Sequence, residues 1–308
     1  MNVSVVIPVF SRQDLLDCAL NSLQSEEKSI LEIIVIDDAS PIAIVINAPQ
    51  IIRDRVRLLR LNKNTGGSSA RQSGIDAARG EFVAFLDSDD VWMPMKLAKQ
   101  LERFSAPEEM LAVATGWQVV DVERRKTWCR FPIPSADPID FASGCWFSPG
   151  STILVTRAAL VKTGPLDARL RRLEDLDWFL RFSMLGGRLE VVDIVGALIR
   201  KSRGQHLAEV RDASEILIKK FSGSVIHSDR KSILRKLKAW LDVEQASAAY
   251  IEGQVLLAAF LVCRSLIRMP RLSLHLRPWW RTQKAQLELD ESLKLLSAGT
   301  PTLDRSSS

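Results

Sequence analysis

Apolar and polar positions follow two different periods along this chain, and the first hundred residues switch repeatedly between them. Val3–Phe10 is an almost continuous apolar run, the pattern of a strand buried on both faces. Ser11-Arg12-Gln13-Asp14 then has the form of a capping box, and Leu15, Leu16, Ala19, Leu20 and Leu23 follow at helical spacing. Ile33–Ile36 predicts a second strand ending at Asp37-Asp38, and Val56–Leu61 a third. Gly66-Gly67 opens a helix through Ala70, Ile75 and Ala78, which Gly80 closes. Phe82–Leu86 predicts a fourth strand that stops abruptly at Asp87-Ser88-Asp89-Asp90. Strands alternating with helices predict an α/β fold with a mostly parallel sheet and helices on both faces. Such sheets bind ligands beyond the carboxyl ends of their strands. Val9-Phe10, Asp37-Asp38 and Asp87–Asp90 all lie at such ends, so one crevice would collect them.

The pattern is less regular from Leu111 to about Val155. Pro132, Pro134, Pro138 and Pro149 break it up, as in a long connection over a site. A helix from Glu174 to Leu185 follows, with Gly186-Gly187 as its stop, and Leu189–Val192 predicts another strand. Beyond about residue 210 the helical pattern dominates, and Ser297–Ser308 is expected to fray. The expected division is therefore a domain over residues 1–210 and a basic helical extension over 211–308.

Charge sharpens that division. Residues 1–210 hold 26 Lys/Arg against 27 Asp/Glu, whereas residues 211–308 hold 16 against 10. Gly253–Leu287 has no acidic residue but carries Arg264, Arg268, Arg271, Arg277, Arg281 and Lys284 among leucines, Phe260, Trp279 and Trp280. That composition suits a helix lying on an anionic bilayer. It equally suits an amphipathic helix docked on the first domain with its arginines solvated. No run approaches the roughly 18–20 apolar residues of a membrane span. Met1–Pro8 lacks the basic segment and cleavage site of a signal peptide and reads as a first strand. Cys18, Cys129, Cys145 and Cys263 are scattered without metal-ligand spacing, as expected of reduced thiols in a cytosolic protein.

Two aspartates one residue apart at the end of a buried strand can hold a hard divalent cation that bridges to a diphosphate. Taken alone, Asp87–Asp90 is equally an acidic turn capping a helix that Pro94 would start. The surrounding blocks decide. Val3-Ser4-Val5-Val6-Ile7-Pro8-Val9-Phe10, Ile34–Ser40, Asn62–Gly74 and Gly80–Trp92 resemble, in order, the donor-site segments of family 2 glycosyltransferases of the GT-A fold. The resemblance covers roughly residues 1–200. It implies a Rossmann-like nucleotide-diphospho-sugar transferase core carrying a DxD motif. By that resemblance Pro8 and Val9 contact the nucleobase, and Asp38 holds the uracil or ribose, with Asp37 as its substitute. Arg71 approaches the diphosphate, Asp87 and Ser88 lie by the ribose and sugar, and Asp89 with Asp87 coordinates Mg²⁺ or Mn²⁺. The structural reading of Arg71 is a solvated helical charge.

Arg171-Arg172-Leu173-Glu174-Asp175-Leu176-Asp177-Trp178 resembles the family's ED motif. The acceptor hydroxyl must lose its proton as it attacks the anomeric carbon opposite the departing diphosphate, and a positioned carboxylate suits that step. Attack from one side inverts the anomeric centre. The motif match implies Asp175 as base with Glu174 beside it. Asp177 competes, because Glu174 and Asp177 share a helix face. The bland reading is a set of acids complementing the helix dipole. Trp117, Trp146 and Trp178 form an acceptor-sugar platform or belong to the core. Gly144–Ser151 resembles the stretch that faces donor and acceptor. One departure stands out. Where many relatives carry Arg-x-His after the ED helix, this chain has Arg200-Lys201-Ser202, with His206 nearby as a substitute.

The resulting expectation is a metal-dependent, inverting glycosyltransferase. It would use a UDP-sugar and a glycan or lipid-linked acceptor in surface polysaccharide synthesis, in the cytoplasm and peripheral to the inner face of the membrane. A nucleotidyltransferase would need a basic, glycine-rich loop where Val9-Phe10-Ser11-Arg12 stands. The rival from another class is a non-catalytic, membrane-associated binding protein on a degenerate transferase core, which would not require Asp38, Asp87, Asp89 and Asp175. Nucleic acid is disfavoured, because the basic residues sit among leucines and not in a polar, aromatic-bearing groove.

Overall fold

The computed structural model describes residues 2–104, 109–201, 206–223, 229–270 and 280–297. In chain order the first elements are β1 (Val3–Val9), α1 (Gln13–Ser22), β2 (Ile30–Asp37), α2 (Gln50–Arg53), β3 (Val56–Arg60), α3 (Gly67–Ala77) and β4 (Phe82–Phe85). There follow β5 (Val91–Trp92), α4 (Lys96–Leu101), β6 (Leu111–Asp121), β7 (Lys126–Pro132), α5 (Pro138–Phe141), α6 (Pro149–Thr152), β8 (Leu154–Thr156), α7 (Arg157–Thr163), α8 (Glu174–Met184) and β9 (Arg188–Arg200). The last are α9 (Leu207–Gly223), α10 (Arg230–Ile251), α11 (Val255–Arg268), β10 (Trp280–Gln283) and α12 (Leu289–Leu295).

One mixed sheet organises the chain, with strand order β10-β7-β6-β8-β4-β1-β2-β3 and β9 joining β6 and β5. The half built from β4, β1, β2 and β3 is parallel. Beyond it, β8 runs antiparallel to β4, β6 to β8 and β7 to β6. The parallel register fixes the crevice. Val9 pairs with Asp37, and the N–H of Asp38 donates to Val9 O at 2.9 Å, so the ends of β1 and β2 lie side by side. Leu86 N–H donates to Val6 O at 3.1 Å and brings Asp87–Asp90 next to them.

The expected capping box does not form. Ser11 sits at φ 54°, and its N–H donates to Ser40 Oγ at 2.9 Å, which ties the β1 turn to the β2 turn instead of capping α1. The irregular stretch after Leu111 contains an eleven-residue strand, β6, that is buried along its whole length. Within it, Gln118 accepts from the N–H groups of Gln286 (2.9 Å) and Leu287 (3.1 Å) and donates to Leu287 O and Ser292 Oγ. Those bonds fasten residues 286–292 to the sheet, and β10 extends it by pairing with β7.

The helical part shares the sheet's core. Leu217, Phe221, Ile233, Leu237 and Leu241 pack in one apolar cluster with Phe141, Phe147, Phe179 and Phe182. The division expected near residue 210 falls inside α9. Ser202, Arg271–Trp279 and Ala298–Ser308 lie outside the described residues.

Candidate active site

Two adjoining cavities open beyond the carboxyl ends of the parallel strands, of about 460 and 690 Å³. The smaller is walled by Pro8, Val9, Asp38, Ser88 and Asp89, the larger by Cys145, Trp146, Asp175 and Trp240. Gly67, Arg71, Asp87, Arg172, Ile199 and Arg200 line both and form the boundary between them. The expected donor residues therefore gather in one lobe and the expected base in the other, with Arg71 and Asp87 between.

Asp37 is not in either cavity wall. It is buried, accepts from Ser40 N–H at 2.8 Å and from Arg60 Nη1 at 2.6 Å, and shapes the turn after β2. Despite the opposing effect of burial, those donors hold its carboxyl below the usual range. Asp38 reaches the smaller lobe, but its oxygens accept from Thr65 N–H (2.7 Å), Thr65 Oγ1 (3.0 Å) and Gly66 N–H (2.8 Å). It thereby holds the glycine-rich turn that opens α3, where Gly66 has φ 85°.

Arg71 bridges the lobes. Its Nη2 donates to Asp87 Oδ1 at 2.6 Å and its Nη1 to Glu174 Oε1 at 2.7 Å. The two carboxylates hold it charged even against burial. The buried Nε of Arg71 and that of Arg200 have no hydrogen-bond partner among the described residues. The solvated-charge reading of Arg71 is thus replaced by an ion-paired guanidinium in the wall. Asp89 accepts from Arg12 Nη1 at 2.6 Å. Burial, together with the Asp87 charge and against Arg12, raises its pKa above the ordinary carboxylate value. Asp90 lies at the edge of the smaller lobe with its carboxyl engaged: it accepts from Ser151 Oγ at 2.6 Å and from Arg200 N–H at 3.0 Å.

The Gly144–Ser151 stretch locks the acidic turn. Ser151 Oγ accepts from Asp87 N–H at 3.0 Å, and Ser151 O accepts from Trp92 Nε1 at 2.9 Å. A Cβ on Gly150 would stand 2.3 Å from Asp87 Oδ2, so only glycine admits this approach.

On α8 the acids separate. Leu173, at φ 61°, turns the chain into the helix. Glu174 and Asp175 both line the larger cavity. Burial and the neighbouring Asp175 charge push Glu174 up to about 7 against Arg71. Burial raises Asp175 too, while the Leu176 N–H, at 2.7 Å, opposes it. Asp177 does not reach the cavity. It is fully buried between Arg181 Nη2 (2.9 Å) and Lys220 Nζ (2.7 Å), which draw it toward α9.

Trp117, Trp146 and Trp178 touch the larger cavity but are only 4%, 5% and 3% exposed. Trp146 donates to Ile133 O at 2.8 Å, and Trp178 donates to Gly164 O and stacks on Phe182, so little ring face remains for a sugar. The aromatic that sequence reading missed is Trp240 on α10, joined in the cavity wall by Glu244. Gly144, at φ 98°, lies so close to the Trp240 indole that a Cβ would come within 2.5 Å of it. Its place beside Leu237 and Leu241 gives Trp240 the sequence signature of an ordinary core residue. His206 is 82% exposed and lies 3.9 Å from Glu252, away from both lobes.

The profile of glycosyl transferase family 2 matches residues 4–167, more than half of the chain. The chain belongs to this family. Among curated relatives, the chain is similar to the succinoglycan biosynthesis protein ExoO of Rhizobium meliloti (strain 1021). The two are 37% identical over 112 residues, 36% of this chain and 32% of that one. The chain spans less than half the length of the first curated relatives it matches. Among solved structures, S. aureus TarS 1-349 in complex with UDP-GlcNAc superposes with a TM-score of 0.58 over 97% of this chain and 91% of that one, at 18% identity. The mannosyltransferase PcManGT from Pyrobaculum calidifontis, in complex with GDP-Man and Mn²⁺, gives 0.53 over 96% and 85%, also at 18% identity. At these identities the two structures establish the GT-A type fold of this family 2 chain, and that alone.

Proposed function

We propose that this chain transfers a sugar from a UDP-sugar to a hydroxyl of a glycan or lipid-linked acceptor, with inversion, in polysaccharide synthesis at the cytoplasmic face of a membrane. The observation that carries this reading is the shared wall. Arg71 and Arg200 line it, next to Asp87 and Glu174, between one lobe sized for a nucleotide and another holding Asp175. Guanidinium groups in such a wall suit a diphosphate. The UDP-GlcNAc and GDP-Man held by TarS and PcManGT, and the biosynthetic role in ExoO's name, support the donor and pathway class.

Among the described residues no group of three or more His, Cys, Asp or Glu is placed to hold a metal ion. The donor set on offer is Asp87 and Asp89, two hard carboxylates at the rim of the donor lobe. That set fits Mg²⁺ or Mn²⁺, which complete their shell with water and diphosphate oxygens. The Arg12 guanidinium already stands on Asp89 as a substitute positive charge. When bound, the ion supplies charge neutralisation to the departing diphosphate.

In the proposed reaction Arg71 orients the donor against Asp87. Asp175 takes the acceptor proton, and Glu174, raised to about 7, shares with it a proton that must leave the pair first. Trp240 and Glu244 flank the acceptor. The test is thermal unfolding with UDP, with and without Mn²⁺. At a hundredfold excess over Kd, stabilisation of about 2.7 kcal/mol is expected. No shift with any nucleotide, with or without metal, overturns the reading in favour of a binding protein on a degenerate core.

A further inference from the structure

Helix α11 is apolar on both sides, and the chain covers only one. Ala258, Leu261 and Ser265 are buried. On the opposite side, at helical spacing, stand Leu256 (88% exposed), Phe260, Cys263 and Ile267 (82% exposed). Tyr250 and Ile251, at the end of α10, and Val255 are exposed beside them. A helix that is apolar all round is one covered all round, and a contiguous exposed apolar patch of this kind marks an interaction surface.

The helix is held so that this stripe faces outward. Arg264 donates to the buried Asp242 at 2.6 Å, and Arg268 pairs with the other oxygen of the same carboxylate. Ser265 Oγ donates to Ala239 O at 2.8 Å. Rotation of α11 to bury Leu256 and Ile267 would break all three contacts. One carboxylate also leaves the two guanidinium groups with a net positive charge.

Charge selects the occupant. Residues 253–287 contain six Lys/Arg and no Asp/Glu. Packing two copies through this face would bring together, from each, Arg264 and Arg268, two guanidinium groups on one Asp242 carboxylate. An anionic lipid surface complements them. At 1.5 Å per residue the 14-residue helix is about 21 Å long, short of the roughly 30 Å hydrocarbon core, so it lies along the surface and does not cross it. No described helix is long and apolar enough to cross a membrane.

We propose that α11 and the end of α10 dock this protein on an anionic phospholipid surface, with Leu256, Phe260, Cys263 and Ile267 entering the acyl boundary. Because α10 also carries Trp240 and Glu244 into the larger cavity, the same helical pair would hold the acceptor lobe at the membrane. That second statement rests on the transferase reading; the docking itself does not.

The test is co-sedimentation of the full chain with phosphatidylglycerol/phosphatidylcholine vesicles and with pure phosphatidylcholine vesicles. Wild type should pellet with the anionic vesicles. L256E/I267E should bind at least tenfold more weakly, with its UDP-dependent thermal shift unchanged. In parallel, an environment-sensitive fluorophore goes on Cys263. Cys18 and Cys129 are buried, and the Cys145 thiol is pushed well up by burial and by Asp175, Glu174 and Glu244. Emission should shift to the blue when anionic vesicles are added. Wild type that stays in the supernatant, or a double variant that pellets equally well, overturns the proposal. So does a vesicle-independent dimer broken by the double substitution, which would assign the face to a second copy. Vesicle binding without any nucleotide shift would leave docking standing and remove only the transferase reading.

Discussion

Glu32, near the amino ends of the parallel strands, and Glu174, beyond their carboxyl ends, are both largely shielded from water and both held by arginine. Glu32 accepts from Ser4 Oγ (2.8 Å), Arg57 Nη1 (2.7 Å), and the backbone N–H (2.7 Å) and Nε (3.0 Å) of Arg79. Burial works against its charge, but these donors hold its pKa below the ordinary value. Glu174 accepts from Arg71 at 2.7 Å and has Asp175 beside it, and it is pushed up to about 7. The residue type is the same; the number of donors and the like-charged neighbour decide the outcome. One end of the sheet has a saturated network that holds strands together. The other keeps two acids with raised pKa values facing a cavity, which is where chemistry is expected.

The largest effect expected from this contrast is on turnover. Asp175→Asn should lower the transfer rate about a thousandfold, roughly 4 kcal/mol of barrier, while UDP-dependent stabilisation persists. Steady-state assays with unchanged nucleotide binding check this, and retained turnover rejects Asp175 as base. Asp177→Asn sharpens the assignment from the other side. It leaves Lys220 and Arg181 facing an uncharged group in a buried site, so it should cost about 3 kcal/mol of stability with kcat largely kept. Glu32→Gln should likewise cost about 3 kcal/mol in urea unfolding, with activity per folded molecule unchanged. Because the folded pKa of Glu32 is depressed, its contribution is present above the unfolded value and lost as the pH falls through the folded one. The stability difference between wild type and Glu32→Gln should therefore shrink below about pH 4.5.

The sequence displayed one side of this contrast more openly than the other. Val3–Phe10, Ile33–Ile36 and Phe82–Leu86 were legible because parallel strands buried on both faces are nearly continuous apolar runs. Asp38, Asp87 and Asp89 were legible because the second and third of these runs end at acids. β6 was not. Its Ala112, Ala114, Gly116 and Gln118 carry no strand signature, and the partners that satisfy buried Gln118 lie at Gln286, Leu287 and Ser292. Trp240 was hidden because a tryptophan at helical spacing reads as core. Helical periodicity placed Asp177 with Glu174, but Lys220, supplied by a helix far along the chain, draws it elsewhere. Local pattern shows which groups a chain has; long-range ion pairs decide where they point.

The smallest expected effect tests the titration itself. A carboxyl with its folded pKa near 7 and its unfolded pKa near 4.5 favours the folded state most when protonated. Its stabilising contribution is full below the unfolded value and is lost as the pH rises through about 7. Transfer should move the opposite way, because the Glu174–Asp175 pair must shed its shared proton before Asp175 can accept another. A group titrating near 7 is about one-tenth ionised at pH 6 and about nine-tenths at pH 8, so kcat/KM should rise about tenfold between them. Glu174→Gln removes that group and should move the rise to lower pH, flattening the profile across this window. A profile unchanged by the substitution would mean that the two ends of the sheet differ in donor count alone, and that the raised pKa of Glu174 has no part in the reaction.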